Sequence, residues 1–241
     1  CIINLIRGNF GNELNIIFIS TFLIFIIGIY DDRKNLGPYL KLFLISVIFI
    51  VSLKLNESFI LKEIFFSSLD KKYSLPDNTD IAFTVLCLLL LLNALNLVDG
   101  INSLANMIVT IWLSYLILFY NTYLTNIFFW LLILILINNY FIYKGKYFIG
   151  NSGSLFYSCL VGMLSIHNYN VMILNSETVN VEEIFILFMI PGFDMFRLFI
   201  ERILKKKHPF KGDNNHLHHF LIKIFPLKKC LLIYFFIITL P

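Results

Sequence analysis

Stretches of about twenty residues with almost no charge, rich in Leu, Ile and Phe, recur along this chain. They lie at about 14–30, 39–55, 81–98, 104–120, 127–143, 153–174 and 183–204, and an eighth begins near 230. A run of that length crosses the ~30 Å hydrocarbon layer of a bilayer as an α-helix. In lipid every backbone polar group needs an internal partner, so only helices and closed barrels can span it, and runs without alternation favour helices. The expected fold is therefore all-α, a polytopic transmembrane helical bundle of about seven to eight spans forming one integral-membrane domain over residues 1–241. Charged residues make up 14% of the chain and hydrophobic ones 59%. Water-soluble domains carry roughly 25% and 45–50%, so most soluble-enzyme classes are excluded. The cysteines Cys1, Cys87, Cys159 and Cys230 have no CxxC spacing, which argues against a zinc ribbon or a disulfide framework. The chain opens at Cys1 and its last apolar run reaches Pro241, and it is read as a piece of a longer polytopic protein.

Span parity sorts the connections into two sets: 31–38, 99–103, 144–152 and 205–229 on one side, and 1–13, 56–80, 121–126 and 175–182 on the other. Of the 19 Lys and Arg residues, 14 belong to the first side or its adjoining helix ends, Lys144, Lys146 and Lys205 to Lys207 among them. By the positive-inside rule that side is cytoplasmic. The net charge of +4 is then a topology signal, and no nucleic-acid partner is expected. The longest connection, roughly 56–80, mixes Lys62, Glu63, Asp70, Lys71, Lys72 and Asp77 and reads as an extramembrane loop.

The unusual polar clusters all fall on that same side, at helix ends, where they can converge on one shallow cavity. Asp31 and Asp32 end an apolar span, where the helix dipole disfavours carboxylates and the two repel each other. A cation should compensate: Arg33 or Lys34 in a solvated loop, or a bound Mg²⁺ or Mn²⁺. In NALNLVDGINSLA, Asn93, Asn96 and Asp99 recur at helical spacing and form a polar stripe. Interhelical hydrogen bonds would account for the Asn residues, whereas an Asp beside a glycine suggests a wet cavity. IGNSGSLF, 149–156, gives a tight turn at a helix start, either a plain cap or a set of N–H groups aimed at an anion. In PGFDMFRLFIER, Pro191 and Gly192 are expected to interrupt the helix just before Asp194, while Asp194, Arg197 and Glu201 are spaced for an ion-pair ladder. KKKHPFKGDNNHLHHFL holds His208, His216, His218 and His219, four of the chain's five histidines, with Asp213. These suit zinc binding, acid–base work or a grip on phosphate, and Lys205 to Lys207 suit anionic headgroups.

GIYDDRKNL, NALNLVDGINSLA, GNSGSLF and PGFDMFRLFIER…HPFKGDNNHLHHFL, in this order, resemble the motifs of the polyprenyl-phosphate N-acetylhexosamine-1-phosphate transferases. This is the membrane family of WecA, TagO and MraY, of the glycosyltransferase family 4 type, and the resemblance covers nearly the whole chain. The HLHH segment is more similar to the WecA/WbpL/TagO branch than to MraY, whose loop carries a triple histidine followed by an acidic residue. The resemblance implies transfer of an N-acetylhexosamine-1-phosphate, GlcNAc-1-phosphate first, from a UDP-sugar to undecaprenyl phosphate with release of UMP and with Mg²⁺ (or Mn²⁺) as cofactor. The product would be a lipid-diphosphate-sugar for cell-wall or lipopolysaccharide O-antigen synthesis. It implies a multi-pass protein of the bacterial inner (cytoplasmic) membrane with its site on the cytoplasmic face, and a homodimer among its expected assemblies. Carried over by motif, Asp31, Asp32 and Asp99 are the expected catalytic residues, and Asp99, Asn151 and Asp32 the metal ligands. Asn93, Asn96, Lys41, Asp194, Arg197, Arg202, His216, His218 and His219 are the expected substrate contacts.

Two departures stand out. Asn151 occupies a position where the family usually has a metal-binding Asp, which should weaken Mg²⁺ binding, and Asn102 replaces a further Asp found in many relatives. Relatives also have about two more helices before the paired Asp. Competing classes are an intramembrane aspartyl protease using Asp99 and Asp194 as a dyad, an ion-coupled transporter and a scaffold. The first leaves Asp31, Asp32 and the histidines without a task. The sequence does not distinguish among UDP-amino sugars.

Overall fold

The computed structural model describes residues 10–77, 79–120, 123–174, 181–207 and 215–239. Nine α-helices lie among them: α1 (Phe10–Lys34), α2 (Pro38–Leu55), α3 (Thr79–Val98), α4 (Leu104–Phe119), α5 (Tyr123–Tyr143), α6 (Gly150–Leu174), α7 (Val181–Leu204), α8 (Leu217–Ile224) and α9 (Leu227–Thr239). Each expected span coincides with one of them, 104–120 overrunning α4 by one residue, Tyr120. Gly11–Lys34, Pro38–Leu55 and Thr79–Val98 are long and apolar enough to cross a membrane, and Leu104–Phe119 and Phe128–Tyr143 are shorter apolar helices. Phe18, Phe22, Phe43, Val51 and Leu86 point outward from the first three, as side chains facing hydrocarbon would. The chain is an all-α polytopic membrane protein.

α6 is the central post. Residues 158–169 are buried without a break, and α1 and α3 pack against it. The α1 contact is set by Gly28: a Cβ there would lie 2.4 Å from Ser152 Cα, so the two backbones touch and the end of α1 is fixed beside the start of α6. α1 and α2 are tied within the apolar layer by a Ser20–Ser52 hydroxyl pair at 2.7 Å, the kind of small-residue contact that joins helices in lipid.

At the opposite end, the expected loop folds further than its composition suggested. Two short antiparallel strands, β1 (Glu63–Phe66) and β2 (Lys71–Ser74), pair Glu63 with Ser74 and Phe66 with Lys71. Their turn is closed by Asp70 in the left-handed region at φ 48°. The hairpin is docked by hydrogen bonds from Phe65 N to Tyr169 Oη (2.8 Å) and from Ser68 N to Glu182 (3.0 Å). A part-buried pair, Glu13 with the buried His167 Nε2 at 3.0 Å, joins α1 to α6 at the same end.

One expectation is overturned. Pro191 and Gly192 do not interrupt α7, which stays helical across them with Pro191 buried. Proline removes the N–H that would bond the carbonyl four residues back, here that of Leu187. Trp112 Nε1 of α4 donates to that carbonyl at 2.8 Å, so the freed acceptor is satisfied and the helix continues.

Candidate active site

The two carboxylates that end α1 have different surroundings. Asp31 is buried. Its Oδ1 accepts from Leu36 N at 2.8 Å, closing the α1–α2 turn, and its Oδ2 pairs with Lys41 Nζ at 2.9 Å. The compensating cation is thus Lys41, one turn into α2, and not Arg33 or Lys34. Asp32 is exposed and turns the other way: Oδ1 accepts from Asn151 N at 2.8 Å and Oδ2 from Ser152 N at 3.0 Å. The anion at the start of α6 is therefore a side chain of α1, where helix dipole and free N–H groups both favour it.

Asp99, directly after α3, lies close enough to the Gly150 backbone N–H and to Asp32 for both to act on its charge, so two carboxylates gather at the first turn of α6. Burial pushes the Asp99 carboxyl up to about 7; the Gly150 N–H works against this and the Asp32 charge adds to it. Among the described residues neither Asp32 nor Asp99 has an ion-pair partner, whereas Asp31 has Lys41 and Asp194 has Arg197. Asn96 Oδ1 accepts from Ser154 Oγ at 2.7 Å, and Ser154 Oγ also reaches Asn151 O at 3.3 Å, tying the α3 stripe to the same turn. Asn93 Nδ2 donates to Leu89 O within its own helix at 2.8 Å.

The histidine segment closes over this point. Gly100 leaves no room for a side chain, since a Cβ would lie 2.2 Å from His218 Nε2 and 3.1 Å from His219 Nε2. His216 and His218 stack with centroids 5.4 Å apart, and His218 and His219 lie at 4.2 Å. His218 is buried with neither ring nitrogen hydrogen-bonded. Burial drives its imidazole down to about 3, with His219 and His216 adding to the effect and Asp194 opposing it, so it is neutral at physiological pH. His216 Nδ1 lies 3.0 Å from Asp194 Oδ2, and Leu217 N donates to both Asp194 oxygens at 3.2 Å. Arg197 Nη2 reaches Asp194 Oδ1 at 2.8 Å and Asn215 O at 2.7 Å. The ladder runs on through Arg197–Glu201 at 3.4 Å to Lys205. Asp194 thus both belongs to a structural ladder and anchors α8.

A cavity of about 360 Å³ opens beside the aspartates between α2, α3 and α7. Lys41, Asn93, Asn96 and the buried Arg202 form its polar part, and Leu42, Leu86, Leu89, Leu90, Phe196 and Phe199 its apolar walls. This is the geometry for an amphiphile with an anionic head.

The structure therefore brings Asp31, Asp32, Asn93, Asn96, Asp99 and residues 150–154 to one end of the bundle and links them through Gly100 to His216, His218, His219 and Asp194. His208 and Asp213 lie outside the described residues. Asp99 and Asp194 have separate partners, so the aspartyl dyad of the protease reading is not formed. Among the described residues no three His, Cys, Asp or Glu side chains are grouped to hold a metal. Asp32 and Asp99 nonetheless offer hard oxygen donors on one turn, with the Asn151 amide on that turn, a donor chemistry that fits Mg²⁺. Sequence reasoning underrated Ser154 and the Asp31–Lys41 pair. The i, i+10 spacing across a proline-started helix was the available signal for the latter.

Residues 14–168 match the model of "Glycosyl transferase family 4". Over 227 residues the chain is 28% identical to the "Probable undecaprenyl-phosphate N-acetylglucosaminyl 1-phosphate transferase" of Bacillus subtilis (strain 168), an alignment covering 87% of this chain. The chain spans 58% of the length of that relative. The family match takes in the paired aspartates, the Asn–Asp stripe and the α6 turn just described, and the chain belongs to glycosyl transferase family 4.

Proposed function

We propose that this protein transfers N-acetylhexosamine-1-phosphate, GlcNAc-1-phosphate first among candidates, from a UDP-sugar to undecaprenyl phosphate. The observation that carries the reading is the meeting of Asp32 and Asp99 on the first turn of α6, beside a cavity with a lysine and an arginine at its polar end and hydrocarbon walls. A diphosphate donor calls for a divalent cation and cationic contacts; a lipid phosphate calls for a charged group at the edge of an apolar groove.

In this reading Asp32, Asp99 and the Asn151 amide hold Mg²⁺, which when bound would neutralise the diphosphate charge. Lys41, kept in place by Asp31, and Arg202 bind the lipid phosphate at the mouth of the cavity, and the Leu and Phe walls take the first part of its chain. A lipid-phosphate oxygen attacks the sugar-bearing phosphorus, the bond from that phosphorus to the bridging oxygen breaks, and UMP leaves. No proton has to move, since nucleophile and leaving group are both phosphate oxygens. Asn93 and Asn96 offer amide groups to the nucleotide. Asp194 and Arg197 fix His216, His218 and His219 over Gly100, where they contact the sugar phosphate. The excess of Lys and Arg at this end supports a cytoplasmic site in a bacterial inner membrane.

The test uses the full-length protein in vesicles with undecaprenyl phosphate and, in turn, UDP-GlcNAc, UDP-GalNAc and 6-deoxy donors, following UMP release. Release that needs both Mg²⁺ and the lipid phosphate is expected for at least one donor. Its absence for all of them, or release indifferent to the lipid, overturns the reading.

A further inference from the structure

Trp112 sits in the middle of α4, fully buried and outside every motif of the site. Its indole makes one polar contact, the 2.8 Å hydrogen bond to Leu187 O, and lies edge-on to Phe188 with centroids 4.7 Å apart. One turn away on the same pair of helices, Tyr115 Oη donates to Glu183 at 2.7 Å. Leu187 O is the acceptor left without its helical donor by Pro191. A kinked or opened helix is the usual result of such a gap, and in a membrane protein the gap is tolerated where a neighbouring helix supplies the missing group. Asp194 follows one turn after Pro191 and holds Arg197, His216 and Leu217 N. The register of α7 beyond the proline therefore decides where α8 and its histidines sit relative to Gly100.

We infer that Trp112 is a positioning residue: by donating to the Leu187 carbonyl that Pro191 releases, it keeps α7 helical across the proline and so sets where Asp194 holds His216 and Leu217. The kinetic consequence rests on the transferase reading; the structural one does not. The inference makes an unusual demand. If the indole N–H substitutes for the N–H that proline lacks, restoring a backbone N–H at position 191 must make the indole dispensable.

The experiment compares four forms of the full-length protein: parental, Trp112→Phe, Pro191→Ala, and both together. Phe keeps an aromatic ring in the site and removes only the donor and part of the volume, and Ala at 191 returns a helical donor to Leu187 O. Hydrogen–deuterium exchange over residues 188–197 is expected to rise about tenfold in Trp112→Phe and to return to the parental rate in the double variant, with Pro191→Ala alone near parental. In the UMP-release assay, Trp112→Phe should raise KM for the UDP-sugar about tenfold, with kcat within about twofold, and the double variant should recover. Unchanged exchange in Trp112→Phe overturns the inference, and so does a defect that Pro191→Ala fails to repair, because packing alone would then explain the tryptophan. If exchange follows the expected pattern while no form releases UMP, the transferase reading fails and the positioning role stands.

Discussion

Lys41 Nζ lies 2.9 Å from Asp31 Oδ2 across the α1–α2 turn, and this pair divides the labour of two adjacent aspartates. Neutralised on its own side of the bundle, Asp31 leaves Asp32 to face α6. Both partners are largely shielded, with side-chain exposures of 14% for Lys41 and 5% for Asp31, so removing one strands a buried charge. Lys41→Met should cost about 3 kcal/mol and abolish UMP release, read by thermal unfolding in detergent and by the vesicle assay. Asp31→Asn combined with Lys41→Met should regain most of the stability and none of the activity. Equal stability of the single and double variants would show that the pair is not coupled.

Asp32 has two separable duties, capping α6 and contributing charge. Asp32→Ala removes both and should lower stability by about 1–2 kcal/mol. Asp32→Asn keeps one acceptor oxygen, enough for one of the Asn151 and Ser152 N–H groups, and should cost less than Asp32→Ala, about 0.5–1 kcal/mol, while losing transfer activity. Calorimetry alongside UMP release separates the two. If Asp32→Asn transferred sugar phosphate at the parental rate, its place in the metal site would be wrong.

Asn151 marks the departure from the usual acidic residue. In Asn151→Asp a third carboxylate joins Asp32 and Asp99 on one turn. Without Mg²⁺ the added repulsion should lower the melting temperature, and with Mg²⁺ the extra charge should tighten binding several-fold. A melting curve measured across a Mg²⁺ titration reports both effects, and an unchanged midpoint concentration would remove Asn151 from the metal shell.

His218 gives a pH dependence of defined sign. Its folded value, about 3, lies below the ordinary 6.5, so the unfolded chain takes up the proton first. The associated stability is complete above about pH 6.5 and is lost as pH falls toward 3. Between pH 7 and 5 the loss should be about 2 kcal/mol. In His218→Phe that part of the slope should vanish, as thermal unfolding at several pH values would reveal; an unchanged slope would mean the imidazole is not held neutral.

Topology is open to thiol labelling. Lys146 lies at the aspartate end and Lys71 in the β-hairpin at the other, both exposed. Lys146→Cys should react only from the cytoplasmic face and Lys71→Cys only from outside. Position 214, in the histidine segment, should behave like 146 but lies outside the described residues. The reverse pattern would invert the orientation read from the charge bias.

Much of this site was legible because a membrane chain can place few polar groups, so Asp31, Asp32, Asn96, Asp99 and the 150–154 turn stood out against their apolar surroundings. What was not legible involved partners distant in sequence. Pro191 reads as a helix break until Trp112, on another helix, is seen to supply the missing donor. The 150–154 turn reads equally as a plain cap or as an anion site until Asp32 is seen to accept from its N–H groups. The strands of the 56–80 loop are four residues each, too short for a periodic signal, and they are held by Tyr169 and Glu182 from distant helices. Asp31 and Asp32 are identical neighbours in sequence, and only the packing of α1 on α6 tells them apart.

That packing depends on Gly28, where α1 and α6 meet backbone to backbone. Even a methyl group there would have to push α1 away from α6, carrying Asp31 and Asp32 with it and opening the contact to Asn151 and Ser152. Gly28, one helical turn before Asp32, therefore admits no side chain while Asp32 keeps its contact with the start of α6. Natural variation in this protein should be read with that in mind: the boundary of the active site, measured by what substitution can reach, runs down into the membrane along the seam between these two helices.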